Sequence, residues 1–213
     1  MISLFSALIA VIVLIFSAIF HEVAHGYVAE RLGDPTARLL GRLTLNPAKH
    51  IDPIMSIFLP LILILSGSPV IFGAAKPVPI DPFNLKEGRK DIALVSIAGP
   101  LTNILIAVVA ALIFRLISTF AIGPSFDIIA AIFLIIVQIN LLLAIFNLIP
   151  IPPLDGSKVF SLLLPEGLSI AYLSLGSIGF FILFFLLLFP IGGFSLGQFV
   201  FNLLTITQRL MGL

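Results

Sequence analysis

The chain has 213 residues, 60% of them apolar and only 10% charged, with 11 Lys and Arg against 10 Asp and Glu. Soluble domains carry about 25% charge, so this composition excludes a water-soluble enzyme, a disordered tail and a nucleic-acid-binding protein. Cysteine is absent, which removes disulfides and thiolate metal ligands.

The apolar residues fall in runs of roughly 20, the length that crosses a bilayer. They predict an all-α polytopic membrane protein, with residues 1–213 as a single domain. Residues 2–29 form the first run. No basic residue precedes it, and it carries His21, Glu22 and His25 near its end. Both features favour a retained span over a cleaved signal peptide. A polar stretch over residues 30–52 contains the turn signal Gly33-Asp34-Pro35. Alternation across Thr36 to Leu45 predicts a small β hairpin near the cytosolic face. Residues 54–72 are apolar but broken by Pro60 and Gly67-Ser68-Pro69. Residues 91–119 and 126–149 read as spans, and residues 155–164 as a short amphipathic helix. Two more spans, 167–189 and 194–210, flank the turn Pro190-Ile191-Gly192-Gly193.

Charge placement sets the expected topology. Arg31, Arg38, Arg42 and Lys49 follow the first span, and Lys76, Lys86, Arg89 and Lys90 follow the broken run. Basic loops stay cytoplasmic, so residues 54–72 are expected to enter and leave on one side. The expectation is therefore five transmembrane helices plus one re-entrant segment, with six helices as the alternative. Lys158 and Arg209 then also fall inside, and Arg115 snorkels from a span end.

His21-Glu22-Val23-Ala24-His25 carries the chemistry. Residues four apart share a helix face, so both histidines can ligate one ion. Glu22 lies beside them, where a metal-bound water sits. Two packed histidines and a helix-end glutamate are the plain alternative, but ionisable groups inside a membrane are functional by default. His25 lies about 12 Å of helix from the exit near Gly33. A catalytic zinc takes three protein ligands and keeps one position open. His50, Asp52, Asp81 and Asp155 are the candidates for the third. Asp155 has the best context, because Pro150, Pro152 and Pro153 end the preceding span early and leave an extended segment. It also reads as an N-cap of the following helix.

Three motifs together resemble the site-2 protease family of intramembrane zinc metalloproteases. They are His21 to His25, Leu154-Asp155-Gly156 with Asn147 before it, and Ala98-Gly99-Pro100 with Asn103 a turn later. The resemblance runs over residues 12–165 as a core, leaving 166–213 as two accessory spans. It lies nearest the short bacterial-type members without a peptide-binding domain, which share a segment like Lys76-Pro77-Val78-Pro79. The resemblance implies one zinc per chain on His21, His25 and Asp155, with Glu22 as general base. It also implies a substrate that spans the membrane, and a multi-pass protein of the plasma membrane whose site faces the cytosol.

Supporting residues have two readings each. Asn103, Asn140 and Asn147 are substrate-binding candidates or helix-to-helix glue. Residues 76–79 fit an edge on which an extended substrate pairs. His50 is expected at a surface or interface, Asp127 as a cap, and Gly176 and Gly179 at close helix contacts. The rival function is a metal-ion transporter or channel, but ionisable residues cluster on the cytosolic third instead of crossing the membrane. Oligomeric state is not readable from the sequence.

Overall fold

The computed structural model describes residues 4–58, 62, 65, 75–120 and 123–213. The predicted re-entrant segment 54–72 lies largely outside the described residues. Helix α1 covers Leu4–Leu32, α2 Thr36–Leu39, α3 Arg89–Phe120 and α4 Pro124–Asn147. They are followed by α5 Asp155–Phe160, α6 Glu166–Leu173, α7 Gly176–Leu188 and α8 Leu196–Leu210.

Within α1, α3 and α4, stretches of 28, 32 and 22 residues are long and apolar enough to cross a membrane. At 1.5 Å per residue they exceed the roughly 30 Å of bilayer hydrocarbon. These three form the body of the protein, with α1 packed on both α3 and α4. Small side chains let α3 and α4 approach: Ala107, Ala110 and Ala111 are buried against Val137 and Leu141. Leu8, Val11, Ile12 and Ile15 of α1 remain exposed, as suits a surface solvated by lipid.

The C-terminal part is less regular than the two spans expected there. Helix α6 and residues 178–188 of α7 are bent by 68°. If that pair is one span, the candidate spans among the described residues number four. Helix α8 has 15 residues, about 22 Å. It is short for a span by itself, and it packs Leu196 and Val200 against Leu183 of α7. Gly179 does mark a close contact, since a Cβ there would lie 2.0 Å from the Pro152 carbonyl oxygen. Gly176 has nothing within 4 Å, so the packing role expected of it is not seen.

No strand pairs are present among the described residues apart from an isolated bridge between Ile191 and Phe194. The expected β hairpin at Thr36 to Leu45 is instead the single turn α2. Hydrogen bonds at its two ends explain this. The Thr36 N–H donates to Asp34 Oδ1 at 3.0 Å. At the other end Gly41 takes φ +63°, and the N–H groups of Arg42 and Gly41 close on the carbonyls of Ala37 and Arg38. That pair of bonds is a Schellman stop, so local capping outweighs the alternating pattern. Gly33, at φ +118°, ends α1 in the same way. The chain after α4 is likewise not extended. It coils through turns closed by Ile151 N–H to Ile149 O and Leu154 N–H to Ile151 O.

Candidate metal centre

Helix α1 brings His21 and His25 one above the other, ring centroids 4.6 Å apart and planes at 87°. Across the bundle, the start of α5 presents Asp155. Its Oδ2 lies 3.1 Å from the Nε2 of His21 and 3.1 Å from the Nε2 of His25. All three side chains are buried, and one ligand atom from each lies within 4.8 Å of the others. Asp155 is the first residue of α5, and Leu154 occupies the N-cap without any side-chain cap bond. The Asp155 carboxylate therefore does not cap its helix. Its Oδ1 accepts instead from Lys158 Nζ at 3.2 Å.

The outer nitrogens of the two histidines decide what the inner ones can do. His25 Nδ1–H donates to the Val95 carbonyl at 2.7 Å. His21 Nδ1 lies 2.6 Å from Asn103 Oδ1. The Asn103 amide is oriented by its other end, where Nδ2 donates to the Ser17 carbonyl at 3.3 Å and to Asn140 Oδ1 at 2.8 Å. Asn140 is fixed in turn by donating to Ser17 Oγ and to the Ile136 carbonyl, both at 2.9 Å. Both imidazoles are thus held with the proton on Nδ1 and a lone pair on Nε2. Two lone pairs and a carboxylate oxygen converge, which is acceptor against acceptor. A divalent cation satisfies all three at once, and this is the ligand and outer-shell pattern of a zinc site. Room is provided by Gly99, because a Cβ there would lie 2.6 Å from the Nε2 of each histidine.

The other candidates for a third ligand are occupied elsewhere. His50 is buried, and its Nε2–H donates to the Thr44 carbonyl at 2.8 Å. Of the surface or interface setting expected of it, that buried position corrects the surface one. Asp52 accepts from the Ile54 N–H at 2.9 Å, and Asp81 from the Phe83 N–H at 3.0 Å. Each acts there as a local cap. Among the described residues, His21, His25 and Asp155 form the one group that could hold a metal.

The expected substrate-binding residues divide. Asn103 and Asn140 are fully buried, and their amides are engaged in the Ser17–Asn140–Asn103–His21 chain. As placed, they hold His21 and present no free group to a substrate. Asn147, at the last position of α4, donates to the Leu143 carbonyl at 2.9 Å and is half-buried. Residues 76–79 carry no strand pairing. The Val78 N–H donates to Glu22 Oε2 at 2.7 Å, and Arg42 Nη2 donates to the carbonyls of Lys76 and Pro77 at 2.9 and 3.2 Å. This segment therefore touches the candidate base directly.

The sequence does not single out Val95 or Arg89 as supports of the site. Val95 acts through its backbone, which no side-chain pattern reveals. Arg89, at the start of α3, donates to the carbonyls of Ser161 and Leu164, tying down the end of the Asp155 helix. Pro100 sits inside α3, where it removes an N–H from the helix ladder next to Gly99. The Ala98-Gly99-Pro100 motif was the available signal for both.

Comparison with known proteins places the chain. The profile of peptidase family M50 matches residues 9–126 and 116–190. YwhC of Bacillus subtilis, a candidate zinc metalloprotease by name, is 39% identical over 193 residues, which are 87% of this chain and 83% of that protein. Rip2 of Mycobacterium tuberculosis, named in the same terms, is 34% identical over 146 residues, or 66% of this chain and 51% of the relative. Rip2 of Mycolicibacterium smegmatis is 35% identical over 142 residues, 67% of this chain and 52% of the relative. No solved structure matches the chain. A metal-ion transporter is not supported by any of these likenesses. The buried His-His-Asp group, the apolar spans and the match over most of the sequence lead to one conclusion: the chain belongs to peptidase family M50, the site-2 protease family of membrane zinc metalloproteases.

Proposed function

We propose that the chain is an endopeptidase that cuts transmembrane segments of other membrane proteins, with zinc held by His21, His25 and Asp155 and with Glu22 as the general base. The observation that carries this reading is the convergence of two Nδ1-protonated histidines and one carboxylate on a single point beside Gly99. Zinc there supplies a Lewis acid for the scissile carbonyl and lowers the pKa of a water. Glu22 takes a proton from the attacking water and returns it to the leaving amine. Lys158, paired with the outer oxygen of Asp155, holds that carboxylate in one orientation. The substrate helix has to unwind before cleavage, because a helical carbonyl is engaged with its own N–H partner four residues on.

The finer topology is part of the same proposal: five spans plus a re-entrant segment, in the plasma membrane, with the site on the cytosolic side. The catalytic core is residues 12–165, and residues 166–213 are accessory. Support comes from the basic residues around the site and from the chain on either side of residues 53–74. The Lys76 N–H donates to the His50 carbonyl at 2.8 Å, so the two flanks meet at one end of the bundle. Single cysteines at Asn46 and Asn84 are expected to label from the same side; labelling from opposite sides selects six spans.

The test of chemistry is Glu22→Gln. It keeps the size of the side chain but cannot accept the water's proton. Purified protein with a single-span substrate is expected to retain zinc and lose cleavage by about 10²–10⁴-fold. Equal cleavage by both forms removes Glu22 from the mechanism.

A further inference from the structure

Residues 75–85 cross the cytosolic end of α1 as a strap with no strand or helix pairing beyond one short helical turn, Pro82–Asn84. Its position is set by polar clamps. At one end the Lys76 N–H is held by the His50 carbonyl, and Arg42 holds the carbonyls of Lys76 and Pro77. At the other end Asp34 holds the Asp81 N–H at 2.7 Å through Oδ2 and the Asn84 amide at 3.0 Å through Oδ1. Asp34 is fully buried and Arg42 is 8% exposed. No carboxylate is recorded against Arg42 among the described residues. Asp34 also accepts from Thr36 at the start of α2; that it and Arg42 are both buried against the strap needs a further reason, since burying a charge is costly unless it is well bonded.

What lies between the clamps supplies the reason. Glu22 and Gly26 are four residues apart on one face of α1, and Val78 lies along that face. Its N–H donates to Glu22 Oε2, and its side chain rests on Gly26, where a Cβ would come within 2.7 Å of Val78 Cγ1. Pro77 and Pro79 have no N–H, so Val78 is the one donor in that stretch that can reach the carboxylate.

We infer that Asp34 and Arg42 are positioning residues of the active centre. They hold the strap so that the Val78 N–H fixes the Glu22 carboxylate in the orientation the proton transfer needs. This deepens the proposed function and rests on Glu22 as the base. Neither residue touches substrate; both act through Val78. Gly26 belongs to the same device, because its missing side chain lets Val78 settle onto the helix.

The test separates strap position from chemistry. The chain has no cysteine, so Val78→Cys, buried in the protein as it stands, reports strap position through maleimide labelling. Labelling is expected to rise when Asp34→Asn or Arg42→Gln is added, while zinc stays near one per chain. In the same substitutions without the cysteine, kcat is expected to fall by about 10–10² with KM little changed, the scale of a misplaced catalytic group. Arg42→Lys is expected to recover part of the loss. Gly26→Ala, whose methyl would press on Val78 Cγ1 and equally on Leu43 Cδ2, at 2.7 Å each, is expected to reproduce it. Unchanged labelling overturns the clamp assignment. Raised labelling with unchanged kcat, or a rise in KM alone, overturns the link to Glu22. Loss of zinc in both variants assigns the clamps to the fold of the metal site and overturns it too. If Glu22→Gln itself cleaves at the full rate, the failure belongs to the base assignment, and the labelling result still stands on its own.

Discussion

Replacing Gly99 by alanine adds one methyl group and tests the metal centre. The methyl would sit 2.6 Å from the Nε2 of His21, 2.6 Å from that of His25 and 2.7 Å from His21 Cδ2. Ordinary van der Waals contact begins at 3.4 Å, so the methyl and the two rings must separate by about 0.8 Å. Ligand positions in a metal site are held to about ±0.2 Å, and the rings have little freedom, because Asn103 and Val95 hold their outer nitrogens. Loss of an outer support alone typically reduces metal affinity by about 10–100-fold; displacing both ligand nitrogens is expected to exceed that range. Alanine is the better helix former by about 1 kcal/mol, so the α3 backbone itself is not weakened. The assay is zinc per chain by elemental analysis, beside helix content by circular dichroism and cleavage of a single-span substrate. The expected result is a helical protein with zinc well below one per chain and no cleavage. Gly176→Ala, with nothing within 4 Å, is the control and should match the wild type. A Gly99→Ala protein that keeps full zinc and full activity would refute the idea that the metal sits between Gly99 and the two Nε2 atoms.

Other perturbations address the supports. Asn103→Ala frees the His21 Nδ1 proton and strands Asn140 Oδ1 in the core; zinc affinity, followed by chelator competition, should fall by about 10–100-fold, with a stability loss of about 1–3 kcal/mol. His50→Ala should keep its zinc, since the imidazole ties Thr44 and not the metal group. Asp34 gives a pH signature. Burial works against its ionisation, but hydrogen bonds from Thr36, Asn84 and the Asp81 N–H outweigh it and hold its carboxyl below the usual range. A folded pKa below the unfolded value of about 3.9 means the contribution is fully present above that value and is lost as pH falls through the folded one. The difference in Tm between wild type and Asp34→Asn should therefore be flat from about pH 8 to pH 5 and close only below about pH 4. A difference that shrinks between pH 8 and pH 5 would show that another group carries the effect.

The parts of this protein that are legible in its sequence are those set by local periodicity. The apolar runs give α1, α3 and α4, because a stretch that crosses hydrocarbon must satisfy its backbone within the helix. The spacing of His21, Glu22 and His25 fixes a shared face, since four residues make about one turn. The proline-rich turns ahead of Asp155 mark where a carboxylate returns to the bundle. Chain ends of short elements are local too, yet over Thr36 to Leu45 the pattern points the wrong way. The alternation suggests strands, while the Asp34 side chain bonded to the Thr36 N–H and the left-handed Gly41 make a helical turn.

Tertiary structure alone decided the rest. The proton on His21 is placed by Asn103, 82 residues away, and that on His25 by the Val95 carbonyl, 70 residues away. Asp155 reaches His21 across 134 residues. Gly99 reads in the sequence as part of the Ala98-Gly99-Pro100 motif; only the crossing of α3 over α1 shows that its missing Cβ leaves room for the Nε2 atoms of His21 and His25. Asp34 and Arg42 look like loop charges until Val78 is seen against Glu22. In each case the deciding quantity is a distance of about 3 Å between atoms that no local rule brings together. Such distances are set only when the helices pack, because the direction of a buried hydrogen bond depends on the relative placement of two backbones and not on the composition of either.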